Sequence, residues 1–587
     1  MAELFEKIED YVYGDEYAFG VPGHKRNYFE NDFISEVFKR DVTCIDEFFS
    51  TDRQEGYVRN SMDEMAKMFE SDESYYVPGD GSTAILIAMS SVVKPGDTIL
   101  AMRSSSKMFY NVAYLLGINV IYLYGENDPD LGVGLSITIE QVEEAFEKNP
   151  SISAVYLTSP TLQGLSAEVD DIAEFAHNKN IPLIVDASNG THFGFAEFLP
   201  DSAINSGADI VINAPFKTLP SPVGVSLLHV IGERVDIEKV RFYVDLYSGE
   251  AFSYMSYACT DVCLEKLANR EFDWKAFYEK REKLSKELSF LQHIGTFEAF
   301  TPDKWNTPEI GKVLIYPKTG KINGKRLFDK LRREYGLRAQ FCTPAYVLLS
   351  FTIGDSDEGF ERLESALKKI DFELSEKVQT ARTMASRDLG NLESLFGVKS
   401  FLSAKGNNKY PIFPMAEAKY TIKEATDLEK EAVLLLMAEG RICGCYVDII
   451  PFSKPLLVPG EVITKEILAY INFYAKNGFD VTGIFVDRIE VLREKKSTDE
   501  SQKVRDEKSL DIKELGKKDI NDNKSDDKKN PEEKDTDKKE SDKKDTDKKD
   551  LDKKESDKKE SDKKVSGETK SDKDKAEEKD DATKKDS

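Results

Sequence analysis

The feature that most constrains the fold is a series of short apolar segments, alternating with helical patterns, between residues 84 and 230. Nearly continuous apolar runs of this length are typical of strands that are buried on both faces. Residues 172–178 lie between two such runs and are predicted to be helical. The alternation predicts an α/β fold with a mainly parallel sheet. The predicted strands are 98–102, 119–124, 153–157, 182–187, 208–212 and 224–230.

Two charged residues stand where predicted strands end. Asp186 ends the run 182–187, and Lys217 follows the run 208–212 just after the breakers Asn213 and Pro215. Ligands of open α/β sheets collect at the carboxyl ends of the strands, and a buried acid there is costly without a partner. A lysine near apolar walls can lose its proton and attack a carbonyl group. The alternative for a single lysine is an ordinary surface side chain.

A third element lies upstream, in the loop Gly79–Thr83, which runs into the helical pattern 84–93. Backbone N–H groups at the start of a helix bind phosphate, and the hydroxyls of Ser82 and Thr83 add donors. The alternative is an ordinary helix cap. Taken together, the loop, Asp186 and Lys217 suit pyridoxal phosphate (PLP), because Lys217 forms a Schiff base with its aldehyde and the acid keeps its pyridine nitrogen protonated.

Composition narrows the class of protein. The chain has 587 residues and a net charge of −26, most of it before residue 500, which argues against nucleic acid or an anionic membrane as the main partner. No apolar run approaches the ~20 residues needed to span a bilayer, and the N-terminus lacks the pattern of a signal peptide. The six cysteines favour buried thiols over disulfides or a metal site. A cytoplasmic location is therefore expected.

The pattern divides the chain into four parts. Residues 1–295 are predicted to hold an N-terminal segment and the large domain, 296–375 a small α/β domain, and 376–494 a third unit with a final strand at 481–486. Residues 495–587 are rich in Lys, Asp, Glu and Ser, with six similar five-residue blocks from 535 to 564. Such a segment cannot bury a core and is predicted to be a disordered spacer, with tethering of an unknown partner as the alternative.

The order of several short motifs resembles a known family over about residues 15–490. That family is the bacterial ornithine/lysine/arginine decarboxylases, which are PLP enzymes of fold type I, in the short form without an N-terminal receiver-like domain. The motifs are Pro-Gly-His-Lys, Gly-Ser-Thr, Arg-x-x-x-Lys, Ser-Pro-Thr, Val-Asp, Lys-Thr-Leu-Pro and Pro-Gly-Glu.

The resemblance implies a PLP-binding large domain, small C-terminal domains and a homodimer with shared active sites. It implies removal of the carboxylate from arginine, lysine or ornithine, a reaction of polyamine metabolism. His24 and His192 are candidates for returning the proton. The cofactor-binding residues that it implies are Ser82, Thr83, Ser106, Thr161, Asp186 and Lys217.

This sequence departs from the family pattern close to the chemistry. Phe216 and Ala214 stand where the family has a His and a Ser that help to hold the phosphate, and Ser106 replaces a His that stacks on the ring. Asn189 and the pair Gly444–Cys445 also differ from the family residues. Two alternatives therefore stay open: a catalytically impaired relative with a regulatory or scaffolding role, and a PLP enzyme with a changed reaction such as transamination.

Overall fold

The computed structural model describes ten stretches of the chain, with only the backbone given for 377–385. The stretches lie within one compact unit, Met1–Lys495. His24 and the predicted disordered tail, 495–587, lie outside the described residues, and the predicted divisions at 295 and 375 remain predictions. The described residues are 3–14, 25, 32–42, 56–128, 131–134, 136–249, 253–297, 309–385, 410–451 and 454–494.

A seven-stranded sheet forms the centre of the larger part of the unit. Its strands are β1 Glu73–Pro78, β2 Thr98–Met102, β3 Asn119–Leu123, β4 Ile152–Thr158, β5 Leu183–Asp186, β6 Ile210–Asn213 and β7 Val225–Val230. Their order in the sheet is β1-β7-β6-β5-β4-β2-β3. Strands β6, β5, β4, β2 and β3 pair in parallel, whereas β7 is antiparallel to both β6 and β1. The sheet is therefore mainly parallel, as predicted.

Helices pack along this sheet and extend the core. The helix that follows β1 has no charged residue, and it is buried along most of its length. The bounds are α1 Glu3–Tyr13, α2 Asp32–Arg40, α3 Tyr57–Phe69, α4 Ser82–Val92, α5 Lys107–Leu116, α6 Ile139–Lys148, α7 Val169–His177, α8 Ile237–Ser248, α9 Tyr254–Ala268 and α10 Trp274–Ser289.

Smaller sheets complete the unit. The strands β8 Ile294–Phe297, β9 Lys312–Pro317, β10 Phe341–Cys342 and β11 Val347–Ser350 form an antiparallel sheet with the helices α11 Gly324–Tyr335 and α12 Asp357–Ala385 beside it. The remaining elements are α13 Ile422–Asp427, β12 Lys430–Leu434, β13 Val447–Ile449, β14 Pro455–Leu457, α14 Lys465–Lys476, β15 Val481–Thr482, β16 Ile484–Phe485 and β17 Arg488–Leu492. They include two three-stranded sheets, β12-β17-β16 and β14-β13-β15.

The prediction of a single final strand over residues 481–486 is wrong, because the structure divides this segment into the two short strands β15 and β16. Gly483 adopts φ +84° between β15 and β16, which belong to different sheets. A Cβ atom at this position would lie 2.1 Å from the carbonyl oxygen of Tyr446, so the chain turns there at a glycine. Val486 and Asp487 also have positive φ angles, and the final strand is β17.

No helix among the described stretches is long and apolar enough to cross a membrane. Within those same stretches, no group of three or more His, Cys, Asp or Glu side chains is arranged to hold a metal ion. Cys263, Cys342 and Cys443 are buried free thiols.

Candidate active site

The predicted site residues follow strands that end at one edge of the large sheet. Ser106 follows β2, Thr161 follows β4, Asp186 ends β5 and Lys217 follows β6. These four strands are parallel, so their carboxyl ends meet at the same edge. Strand β1 runs in the same direction, because it too is antiparallel to β7, and it delivers the loop Gly79–Thr83 to this edge. The sheet topology therefore gathers the segments that the sequence separates.

The loop after β1 turns sharply into helix α4. Gly81 precedes the helix with φ +101°, and a Cβ atom there would lie 3.4 Å from the hydroxyl oxygen of Ser188 and 3.9 Å from a methyl carbon of Ile212. The first intrahelical bond runs from Ile85 N–H to the Gly81 carbonyl at 2.9 Å. The N–H groups before Ile85 therefore point out of the helix end, where an anion is favoured.

An acidic side chain already contacts this helix end. The Asp80 carboxylate accepts hydrogen bonds from the Ser82 hydroxyl at 2.7 Å and from the Ser82 N–H at 3.2 Å. The Ser82 hydroxyl is the main cause that lowers the pKa of Asp80, and the Lys217 ammonium adds to it. Asp80 is therefore ionised near neutral pH and lies within electrostatic reach of Lys217. The sequence analysis missed this residue, although the signal was present as an acid between the two glycines.

Asp186 is buried, with 5% of its surface exposed, and is held on both carboxylate oxygens. Oδ1 accepts hydrogen bonds from the Ser188 hydroxyl at 2.5 Å and from the Ser188 N–H at 3.2 Å, and Oδ2 accepts a longer one from the Tyr156 hydroxyl at 3.4 Å. Ser188 also lies beside Gly81. The acid at the end of β5 is thus fixed next to the helix end that begins at Ser82.

Lys217 closes a short 3₁₀ turn, Pro215–Lys217, that follows β6. Its N–H donates to the carbonyl of Ala214 at 3.0 Å, which fixes the backbone of the turn. Its side chain is half-buried, and Nζ lies 6.0 Å from the centre of the Phe216 ring. The amine therefore lies after the end of β6, beside an apolar ring, and its reactivity remains a prediction.

The hydroxyl groups of the remaining predicted site residues differ in whether they already take part in a hydrogen bond. Within the part of the chain that the structure describes, the buried hydroxyl of Ser106, at the start of α5, has no hydrogen-bond partner, and neither has the hydroxyl of Thr218 beside Lys217. The Thr161 hydroxyl instead accepts the N–H of Leu165 at 3.1 Å within its own loop. Ser106 and Thr218 therefore offer free polar atoms near the strand ends, whereas Thr161 has a structural bond already.

A buried contact between His192 and Glu309 joins the segment before strand β9 to the segment that follows β5. Nε2 of His192 lies 3.3 Å from a carboxylate oxygen of Glu309, and the His192 ring stacks on Trp274 at 5.1 Å. Burial opposes ionisation of Glu309, but His192 and Lys312 hold the pKa of Glu309 below its ordinary value. Burial and the charge of Lys217 lower the pKa of Lys312. His192 is thus held by Glu309.

The motifs Arg-x-x-x-Lys and Pro-Gly-Glu meet in space as a buried ion pair. Arg103 donates from Nε and Nη2 to the two carboxylate oxygens of Glu461, each at 2.9 Å, and also to the carbonyls of Pro455 and Leu456. The Glu461 carboxylate further accepts the N–H of Val458 at 2.8 Å. Burial opposes the charge on Arg103, yet Glu461 raises the pKa of Arg103 well above its ordinary value. This pair ties the C-terminal strands to the edge where β2 ends.

These residues fit a pyridine aldehyde cofactor at its ring and aldehyde ends. Asp186 is a fixed buried acid, Lys217 is a half-buried amine, and the hydroxyls of Ser106 and Thr218 have no hydrogen-bond partner among the described residues. The helix end suits an anionic group, although the Asp80 carboxylate takes two of its donors. The fold is the predicted α/β fold with a mainly parallel sheet, and binding of PLP at its edge remains a prediction.

Comparison with protein families gives the family. Residues 2–366 match the family described as "Orn/Lys/Arg decarboxylase, major domain", and the chain belongs to this family of carboxy-lyases, as the resemblance predicted. The arginine decarboxylase of Bacillus anthracis is 25% identical over 497 residues, which cover 82% of this chain and 94% of that protein. The arginine decarboxylase of Bacillus subtilis is 25% identical over 507 residues, covering 84% and 98%.

Solved structures agree on the fold. The lysine decarboxylase LdcF of Francisella novicida superposes with a TM-score of 0.70 and 18% identity, covering 84% of this chain and 81% of that chain. The constitutive lysine decarboxylase of E. coli gives a TM-score of 0.67 and 17% identity, with coverage of 84% and 82%. At these identities the likeness supports the predicted fold class and leaves the substrate open.

Proposed function

We propose that the protein is a PLP-dependent decarboxylase of a basic amino acid, namely arginine, lysine or ornithine, and that Lys217 bonds to the cofactor. The observation that carries this proposal is the placement of Lys217 and Asp186 at the ends of adjacent parallel strands, beside the N-terminus of α4. When bound, PLP supplies an electron sink that stabilises the carbanion left by loss of CO2.

Each residue of the site would then have a separate role in binding the cofactor or moving a proton. The buried Asp186 carboxylate, fixed by Ser188, would hold a proton on the pyridine nitrogen. The Lys217 amine would bond to the aldehyde and be released when the substrate amine replaces it. The helix end at Ser82 and Thr83 would bind the phosphate, and Ser106 and Thr161 remain proposed contacts of the cofactor. Of the two histidines proposed to return a proton to the substrate carbon, His192 lies within the described residues, where it contacts Glu309.

The test begins with the covalent bond. The purified full-length protein is incubated with PLP and reduced with borohydride, and the labelled peptide is located by mass spectrometry. We expect the label on Lys217 and its loss in Lys217→Ala, whereas Lys94→Ala, which removes an exposed lysine at the opposite end of β2, retains it. Release of CO2 is then measured with carboxyl-labelled arginine, lysine and ornithine. A labelled Lys217→Ala variant, or CO2 release that survives this substitution, would contradict the proposal.

A second candidate is a PLP-fold protein with a regulatory or scaffolding role and little turnover. It is favoured by the phosphate end of the site, where the resemblance expects a Ser and a His but the chain has Ala214 and Phe216. This candidate predicts a folded protein without CO2 release from any amino acid of the panel. Formation of a keto acid would identify a transaminase instead.

The proposed setting follows from the family. A cytoplasmic homodimer with sites shared between two chains is our expectation, and sedimentation of the full-length protein at several concentrations tests it. A monomer at micromolar concentration would contradict the shared-site arrangement.

A further inference from the structure

The phosphate end of the proposed site contains a negative charge of the protein itself. Asp80 binds the Ser82 hydroxyl and the Ser82 N–H, which are two of the donors that a phosphate at this helix end would use. A bound phosphate and the Asp80 carboxylate would therefore compete for the same donors. They would also repel each other, because both are anions at one helix end.

Neighbouring positions add little to offset this repulsion. Ala214 is buried and offers no side-chain donor, and Phe216 places an apolar ring beside Lys217. Nearby cations therefore matter more, and the charge of Lys217 helps to keep Asp80 ionised.

From these contacts we propose that the Asp80 carboxylate acts as an internal anion at the N-terminus of α4, where the phosphate of the cofactor would bind. Its charge lowers the affinity for that phosphate, so the site discriminates only weakly between aldehydes with and without a phosphate. This inference rests on the proposed function, since it concerns the same site. Its consequence is a site that accepts an aldehyde without the phosphate almost as well as PLP, and in which the carboxylate at position 80 sets the affinity for PLP.

The substitution Asp80→Asn separates the effect of the negative charge from the effect of the hydrogen bonds to Ser82. The amide oxygen of asparagine can still accept both bonds from Ser82, so the turn before α4 is kept while the negative charge is removed. Asp97→Asn is the matched control. Asp97 also accepts a backbone N–H, from Lys94 at 2.8 Å, but it lies at the start of β2, at the opposite end of the sheet.

The experiment measures the dissociation constants of PLP and of 5′-deoxypyridoxal, which lacks the phosphate, for the wild-type protein and both variants. Binding is followed by absorbance of the protein-bound aldehyde, and reduction with borohydride identifies the labelled lysine. Comparison of the two aldehydes separates the phosphate from the bond to Lys217, because any effect of Asp80 on the amine acts on both.

We expect Asp80→Asn to tighten PLP about tenfold, the size appropriate to one like charge in a solvated site, and to change 5′-deoxypyridoxal less than about twofold. Asp97→Asn should change neither constant. Equal tightening of both aldehydes, or an unchanged constant for PLP, would overturn the role of Asp80 while a label on Lys217 leaves the proposed function intact. Absence of label with either aldehyde in all three proteins would overturn both.

Discussion

The buried Arg103–Glu461 pair makes a prediction that depends only on described contacts. Arg103 is 1% exposed and Glu461 is 0% exposed, so neither charge can be solvated by water if the other is removed. In Glu461→Gln, the amide oxygen can replace one acceptor, but the amide nitrogen turns a donor toward the second guanidinium N–H. Removing one partner of a buried pair costs about 3–5 kcal/mol. Because Pro455 and Leu456 still accept from Arg103, we expect the lower end, about 3 kcal/mol.

Hydrogen exchange of the full-length protein measures this effect locally. The amides of Leu456 and Leu457 in β14 should lose protection by roughly 100-fold in Glu461→Gln, since each 1.4 kcal/mol is a factor of ten. Asp427→Asn, which breaks an exposed ion pair with Lys423, is the control and should leave β14 unchanged. In a double-mutant cycle, Arg103→Met together with Glu461→Leu should cost clearly less than the sum of the two single changes. A loss of protection below fivefold, or additive costs, would refute the buried-pair argument.

The remaining predictions concern the backbone, the acid of the site and a buried histidine. Gly483→Ala should destabilise the protein more than Gly96→Ala, because both glycines have positive φ angles but only the Cβ atom added at Gly483 would clash with backbone, 2.1 Å from the carbonyl oxygen of Tyr446; urea unfolding gives the difference, and equal losses would argue against a clash at this turn. Asp186→Asn should lower CO2 release about 10²–10⁴-fold at saturating PLP, and an unchanged rate would remove Asp186 from the proposed mechanism. Burial lowers the pKa of His229 to about 3 from its ordinary 6.5, so the unfolded chain takes up the proton first and stability falls as the pH drops from about 6.5 to 3. In His229→Gln, which can keep a bond to Ser74, unfolding measured against pH should show a shallower loss, and an identical slope would contradict this origin.

Most strands of the large sheet could be predicted because buried parallel strands have a local signature. The run at 98–102 coincides with β2, and the neighbouring runs differ from the observed strands by one or two residues at their ends. The direction of β7 was not predictable in this way, since an apolar run has the same composition whichever way the strand points. Strand β1 was not predicted, because its apolar run is only Tyr75, Tyr76 and Val77 and a proline follows it.

The positions of two candidate site residues were predictable from local pattern, whereas their roles remain predictions. A lysine and an acid after apolar strands suggested Lys217 and Asp186 without any knowledge of their distance. The bond between Asp80 and Ser82 was not predictable, because it depends on the left-handed turn at Gly81 and on one side-chain conformation. The contact of Glu309 with His192 likewise joins segments more than 100 residues apart, and no local pattern encodes such a pairing.

The buried contacts of Arg103 and His192 show that residues outside the large sheet hold side chains near its edge. The match to the family's major domain ends at residue 366, yet Glu461 lies beyond it and neutralises Arg103 of the large sheet. Without the C-terminal strands, the guanidinium would lose its carboxylate and two carbonyl acceptors at the edge where β2 delivers Ser106. Glu309, which precedes strand β9, similarly contacts His192 at 3.3 Å. The edge that carries Lys217 and Asp186 is therefore stabilised by charges from three separate parts of the chain, and substitutions far from Lys217 in sequence should act on the geometry of its surroundings.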